Sequence, residues 1–367
     1  MKAGRCDGLA VSVSAAFEDS AWDAFLQSTP FGEFPQSSVW ARYKRADGWR
    51  CSRTLVKRDQ RIAGGFQVLW RPTRFGRIGY ASKGPVAQAE DPELVDALVA
   101  MLAETTRRLR LVALVVQPPG RSRLTSARLQ APVFLPNRIQ SIITATLVVD
   151  VTVGMPTIEE GMRRTTRQLL RKGIRSGVTV REGFEKDLEA FFHLMLKSCE
   201  RQNVSPNPSS AAALKALWQA SGGAAGCRLT LAEHGGKAIG GLFCIAFGKV
   251  LALWKKGSIP DRLGLHPMES LYHDAFAWAA SRGFHFCDFL SLQRRTAECL
   301  LRKLPLTGEQ KHSRDIFNLG FGGTPVLLPE AYLHIPNPLL ALGYRLLAST
   351  PFTLGWLKKA ARTLEAG

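Results

Sequence analysis

Acidic residues are scarce in this 367-residue chain: 30 Asp and Glu stand against 49 Lys and Arg, a formal net charge of +19. An imbalance of this size draws in anionic partners, whether nucleic acid, phosphorylated substrates or an acidic membrane surface, and carries no information about fold. Cysteines number seven and form no CxxC pair, which excludes a zinc ribbon and gives no disulfide framework. Cys244 lies in the apolar run Leu242–Ile245, the setting of a buried, reduced thiol in a cytoplasmic protein. No stretch of about 18 uninterrupted apolar residues occurs, so no spanning helix is expected. The first twenty residues lack the apolar core of a secretory signal. A P-loop and an HExxH pair are missing, and no catalytic triad can be picked out. The basic residues are not interleaved with stacking aromatics, and no helix-turn-helix or RNA-binding motif appears, which counts against a nucleic-acid module.

What is present suits two ordinary cores. Hydrophobic residues make up 46% and charged residues 22%, and the length exceeds what one core usually serves. Residues 51–66, with Cys51, Thr54, Leu55, Arg61 and the pair Gly64-Gly65, lie 176 positions before residues 227–242, with Cys227, Thr230, Leu231, Lys237 and Gly240-Gly241. Each copy reads as a strand, a polar turn and a second strand opened by two glycines, a hairpin pattern. The first copy continues to a helix near 91–109 and the apolar strand Leu111–Val116. The second continues to a helix near 267–282, begun by Pro267, and a strand from Phe284 to Leu290. Two copies of one unit in this order predict an α/β (α+β) fold with mixed sheets flanked by helices.

The most basic segment lies between the copies. Thr157 and Glu160 have capping-box spacing, and the helix they would open runs to about Ser176, stopped by Gly177. Arg163, Arg167 and Arg171 fall on one face, with Arg164 and Arg175 beside them, while Ile158, Met162, Leu169 and Ile174 form the apolar side. With no acidic partner in the helical register, the arginines either form a solvated face or bind a polyanion. Farther on, residues 336–367 mix Leu, Phe and Trp356 with Arg345, Lys358, Lys359 and Arg362. This segment is either a terminal helix packed on the body or an amphipathic element on the inner membrane surface.

With these residues in view, the chain resembles the Fem family, non-ribosomal peptidyltransferases built from two GNAT-type domains. Phe34 to Trp49 is similar to the family's first helix, and Tyr80–Val86, with Gly84-Pro85, to its Y-x-x-x-G-P segment. The arginine-rich stretch ending at Val178 resembles the linker helix, Leu196–Arg201 its "R" helix, and Ile316–Gly323 its C-terminal strand. The likeness runs over roughly residues 14 to 335. It implies a tandem GNAT-like fold, with a first domain over 1–150 completed by about 318–335, a second over 151–317, and a basic and apolar extension over 336–367. A pair usually Phe-Lys reads Phe317-Asn318 here, so the lysine tied to peptidyl transfer is missing. The donor is therefore either an aminoacyl-tRNA or an acyl-CoA, as co-substrate rather than bound cofactor.

Transfer to an amine needs a base, a site for oxyanion charge and a grip on phosphates, with much of the rate coming from juxtaposition. The resemblance assigns Lys44 and Arg201 to the acceptor's diphosphate. Tyr80 and Lys83, beside Gly84, and Trp254 and Lys256, beside Gly257, line what reads as an equivalent turn in each copy. Asp288, an acid within an apolar strand, is either a base or a loop cap, and His266, ahead of Pro267, is either a base or a helix cap. Arg262-Leu263-Gly264 is a degenerate remnant at most of the R/Q-x-x-G-x-G/A phosphate loop of CoA enzymes. The expectation is a cytoplasmic acyltransferase acting on a nucleotide- or lipid-linked cell-envelope precursor, with tRNA and the inner membrane face as further partners. Against it stand an acyl-CoA-dependent N-acetyltransferase of an amino sugar and a non-catalytic polyanion-binding protein. No metal site is expected.

Overall fold

The computed structural model describes residues 5–6, 9–140, 142–261 and 263–349. Arg262 of the phosphate-loop remnant lies outside the described residues, as do Trp356, Lys358, Lys359 and Arg362 of the extension. In chain order the first part carries β1 (Arg5–Cys6), β2 (Leu9–Ser14), α1 (Ser20–Ser28), α2 (Ser38–Arg45), β3 (Arg50–Arg58), β4 (Arg61–Thr73), β5 (Gly76–Ser82), β6 (Val86–Ala87), α3 (Pro92–Arg108), β7 (Leu111–Gln117), α4 (Arg123–Arg128) and β8 (Leu135–Pro136). There follow β9 (Ala145–Asp150), α5 (Met155–Gly161), α6 (Arg164–Arg175), β10 (Thr179–Gly183), α7 (Leu188–Gln202), α8 (Ala211–Ala220), β11 (Cys227–His234), β12 (Lys237–Phe247), β13 (Val250–Ser258), α9 (Pro267–Ser281) and β14 (Phe286–Asp288). The last elements are α10 (Arg294–Leu301), α11 (Gly308–Lys311), α12 (Asp315–Leu319), β15 (Thr324–Leu327), β16 (Tyr332–His334) and α13 (Pro338–Ala348).

The chain divides into two compact units, one built from residues up to 142 together with those from 328 onward, the other from residues 143–327. The first sheet runs β1-β2-β3-β4-β5-β7-β16-β8, and the second β10-β11-β12-β13-β14-β9-β15. In both, the strand after the helix joins in parallel, β7 to β5 and β14 to β13, while the hairpin strands are antiparallel. The hairpin turns match as well. Asp59 and Gln60 have φ of 50° and 64°, and Gly235 and Gly236, 176 residues later, have 56° and 73°. Positive φ at both central residues suits the twist of a two-residue hairpin.

The paired glycines show why the motif recurs. A Cβ at Gly64 would meet Leu98 of α3 at 3.0 Å, and one at Gly240 would meet Pro267 of α9 at 3.0 Å. Their neighbours face the other side: a Cβ at Gly65 would meet Trp22 of α1 at 3.1 Å, and one at Gly241 would meet Phe191 of α7 at 2.6 Å. Each pair therefore lets a helix settle on both faces of the sheet at one level. Burial then follows sequence pattern. Helix α3 starts with Asp91 accepting from the N–H groups of Glu93 and Leu94, and its stripe Leu94, Leu98, Leu102 is fully covered. In the second unit Leu242, Leu271, Tyr272, Phe276 and Phe321 form the equivalent core.

Several expected boundaries shift. The arginine-rich segment is two helices. Pro156 starts the first at Met155, with Gly154 at φ 84° before it, so Thr157 lies inside the helix and caps nothing. The chain breaks at Met162–Arg163, where the Arg163 N–H donates to Gly320 O at 2.9 Å. The buried face of α6 is Thr166, Leu170 and Gly173 rather than Leu169 and Ile174, because Gly173 lies against the carbonyl of Leu265; Ile174 is exposed. Ile316–Gly323 is helix and turn instead of strand, since Gly322 and Gly323 take φ of 77° and 90° and strand β15 begins only after them. The strand expected over 284–290 is confined to Phe286–Asp288, ending before Leu290 at φ 56°. The first unit is completed from residue 328 and not from 318, while β9 (145–150) belongs to the second sheet.

A methyl at Gly257 would fall on the backbone of Leu194 and Met195 in α7. Gly257→Ala should cost about 1–3 kcal/mol or more, because backbone cannot move aside as a side chain can. Gly161→Ala, where no atom lies within 4 Å, should leave the melting temperature almost unchanged. Thermal unfolding of both variants measures the contrast, and equal stabilities would refute the close-approach argument.

Candidate active site

Strand β13 sets Lys256 opposite Leu242 of β12, which directs its side chain toward α9 and α12. Its ammonium stands 5.3 Å from the centre of the Tyr272 ring and 4.7 Å from that of Phe317. It donates to Asn318 Oδ1 at 3.3 Å, and Asn318 Nδ2 in turn donates to Ser291 O at 3.5 Å. Two ring faces and an amide oxygen hold a cation without neutralising it. Surrounding protein, then the Arg314 guanidinium, pull this amine down to about 8, with Glu269 acting in the opposite direction. The residue as a whole is exposed.

Glu269, in the first turn of α9, was not singled out in the sequence. Its side chain is buried. That burial, with Asp261 nearby, pushes the carboxyl up to about 7, against the pull of Lys256. A carboxyl that titrates near neutrality can take up and release a proton at working pH. A glutamate one turn into a Pro-started helix reads in sequence as a complement to the helix dipole. Its burial depends on Gly240 letting α9 sit on the sheet, which no spacing reveals.

Arg201, at the end of α7, donates to Ser258 O at 2.8 Å, to Ser258 Oγ at 3.1 Å and to Ser198 Oγ at 3.1 Å. It ties the helix to β13 two residues beyond Lys256 and keeps an exposed guanidinium. Arg314 donates to Gln202 Oε1 at 2.6 Å. Trp254, on the same strand, packs its ring 5.8 Å from that of Phe243. Lys256, Asn318, Glu269 and Arg201 thus gather around the end of β13.

The other expected residues serve differently. Asp288 accepts from the Thr146 hydroxyl and from the Leu290 N–H. It lies half-buried, fixing the turn after β14. His266 stands ahead of α9 at φ 51°, its N–H and that of Leu265 donating to Asp261 at 2.8 and 2.7 Å. The Asp261 carboxylate also lies 3.6 Å from the His266 ring, so the aspartate fixes the turn ahead of α9 and the imidazole makes no cap bond. Lys83 and Lys256 are not equivalent: Lys83 follows β5 in a turn at φ 58°, whereas Lys256 lies within a strand.

Within the first unit, Lys44 is paired with Asp47 at 3.1 Å and stands over the rings of Trp40 and Tyr43. Tyr80 accepts from Gln140 at 2.5 Å and packs its ring edgewise on Trp49. Lys83 is buried, 3.7 Å from Glu33. In the second unit, Arg164, Arg167, Gln168 and Arg171 line a groove of about 660 Å³ with Pro156, Glu159 and Glu160. Glu159 and Glu160 share that lining, and the Glu159 carboxylate meets the His273 ring at 2.7 Å rather than an arginine. Arg167 donates to the carbonyls of Glu159 and Glu160 at 3.0 and 2.9 Å, and Arg163 precedes the helix instead of joining its face. Arg175, in the last turn of α6, is exposed.

Residues 17–132 match the FemAB family model, and residues 160–294 match that of an acetyltransferase (GNAT) domain. The chain is similar to the lipid II:glycine glycyltransferase of Staphylococcus aureus strain MRSA252, with 25% identity over 191 residues, 49% of this chain and 45% of that protein. The protein of the same name from strain USA300 is 24% identical over the same shares. The match thus spans about half the length of these relatives. Among solved structures, the chain resembles FemX with a TM-score of 0.76 and 16% identity, over 92% of this chain and 100% of that one. It also resembles a tandem GNAT protein from the clavulanic acid biosynthesis pathway, with a TM-score of 0.52 and 11% identity over 89% and 99%. At these identities the likeness establishes the fold: two GNAT-like units in tandem.

Competitive labelling with acetic anhydride, read by mass spectrometry, should give Lys256 a reactivity midpoint near 8, below the 10.5 of an ordinary lysine. Glu269→Gln removes the carboxylate that favours the ammonium, so the midpoint should fall further. A midpoint at the ordinary value would refute the described environment.

Proposed function

We propose that this chain, Fem-type and GNAT-like in sequence and fold, is an aminoacyltransferase that acts on an amine of a phosphate-bearing cell-envelope precursor. The observation that carries the reading is the Lys256 ammonium against Phe317 and Asn318. Where the resemblance leads one to expect lysine there is asparagine, and an amine from strand β13 stands beside it. Similarity to proteins named lipid II:glycine glycyltransferase supports the envelope precursor as acceptor.

In this reading Glu269 takes a proton from the acceptor's ammonium, leaving a neutral amine. The amine attacks the acyl carbonyl of the donor, a C–N bond forms, and negative charge builds on the carbonyl oxygen. The Lys256 ammonium stabilises that charge. The ester C–O bond of an aminoacyl-tRNA, or the C–S bond of an acyl-CoA, then breaks, and the second amine proton passes to the leaving oxygen or sulfur. Arg201 offers the second unit a guanidinium fork for phosphate, and Lys44 offers the first a point charge. The GNAT domain match favours acyl-CoA as donor in the second reading, whose acceptor would be an amino sugar. The arginine groove of α6 is the place in the second unit for a longer anion such as tRNA. The work is cytoplasmic, at the inner face of the membrane.

Purified protein given charged tRNA or labelled acetyl-CoA, with lipid II or a nucleotide-linked precursor, distinguishes the donors; transfer from neither would refute both enzyme readings. Lys256→Met should lower kcat about 10²–10³-fold with little effect on KM. Arg201→Ala should raise the acceptor KM. Activity should rise with pH through about 7, as Glu269 loses its proton, and fall above about 8, as Lys256 loses its own. Glu269→Gln should abolish the rising limb; a wild-type rate flat across this range would remove both residues from the chemistry.

A further inference from the structure

Helix α13 has an arrangement that a packed terminal helix does not need. Its inner side is satisfied: Tyr344 and Ala348 are buried with Val115, Leu135 and Leu333, and Ala341 packs against them. The Tyr344 hydroxyl donates to Pro136 O at 2.8 Å and accepts from the Arg138 N–H at 3.0 Å. The outer side carries Leu339, Leu340, Leu342, Leu346 and Leu347, each between 44% and 77% exposed. At 100° per residue these five span an arc of roughly 160°, facing away from the packed residues. Five outward leucines on an 11-residue helix make a contiguous apolar surface of the kind that marks an interaction site.

We infer that α13 docks on an anionic lipid surface, burying this leucine arc at the boundary between headgroups and acyl chains. Charge selects the occupant. The chain carries +19, so two copies repel each other while an acidic bilayer attracts either one. The rim of the arc is cationic. Arg345 sits on the helix, with its guanidinium on Pro132 O at 3.1 Å, and Arg138 donates to Ala348 O at 3.1 Å, at the negative end of the helix dipole. The sequence that follows adds Lys358, Lys359 and Arg362. Among the described residues no helix is long and apolar enough to cross a membrane, so the contact is interfacial: apolar area plus cations against anionic headgroups. The inference stands on this surface alone and is independent of the transfer reaction.

Sedimentation of the full chain with vesicles tests it. Binding to phosphatidylcholine and phosphatidylglycerol in equal parts should exceed binding to phosphatidylcholine alone and weaken as salt is raised. The triple variant Leu339→Ser, Leu342→Ser, Leu346→Ser should bind the anionic vesicles at least about tenfold less. Its circular dichroism should be unchanged, since the replaced side chains face solvent. Leu339→Ser alone, at the most exposed position, should give a smaller loss and serves if the triple variant unfolds. Wild-type protein that ignores the anionic vesicles, or variants that bind them as well as wild type, would overturn the inference. So would a wild-type dimer, seen by light scattering, that the triple variant dissolves while vesicle binding is absent; the arc would then belong to a second copy.

Discussion

Helix α9 sits on strand β12 closely enough that a methyl at Gly240 would press on Pro267, and the chemistry of the second unit depends on that approach. Because the helix lies low, its first turn carries Glu269 out of water and beside Lys256 instead of out toward solvent. On the opposite face Gly241 and Gly257 admit α7 in the same way, bringing Arg201 to the end of β13. Three glycines thus fix the height of two helices, and those heights decide which ionisable groups meet. Protein interiors are too densely packed for the helices to settle elsewhere without loss.

The duplication was legible because it rests on local signals. The two-residue turns, the glycine pairs and the Pro267 start each act over a few residues, and the offset of 176 holds from Asp59 through Gly65. What misled was register at the joins. Arg163 looks helical by spacing, yet its N–H is claimed by Gly320, more than 150 residues away. Ile316–Gly323 is apolar enough for a strand, but two positive-φ glycines delay the strand until Thr324. Lys256 and Glu269 belong to the same class of difficulty. Neither is unusual in its own segment: surrounding protein shifts both, with Arg314 adding to the effect at Lys256 and Asp261 at Glu269, and no local pattern shows these neighbours.

Charge is distributed unevenly in its effects. Several arginines lie on aromatic faces: Arg71 over Trp49, Arg50 and Arg77 over Trp70, and Arg228 over Trp278. Such guanidiniums reinforce the fold while remaining cations, so the long-range field survives even where the side chains are engaged. Lysines do less of this, and Lys256 stands out because its ring contacts lie at the same place as its only close amide partner among the hydrogen bonds of its ammonium described above.

The first sheet draws its strand β16 from residues 332–334, which pair with β7 some 220 positions earlier in the chain. The second unit, by contrast, is assembled from one continuous stretch. During synthesis on the ribosome, every residue of the second unit therefore emerges while β7 still lacks a neighbour on one edge. The order of birth is the reverse of the order of completion: the unit that begins first must wait, with an open strand edge, for the other to be made.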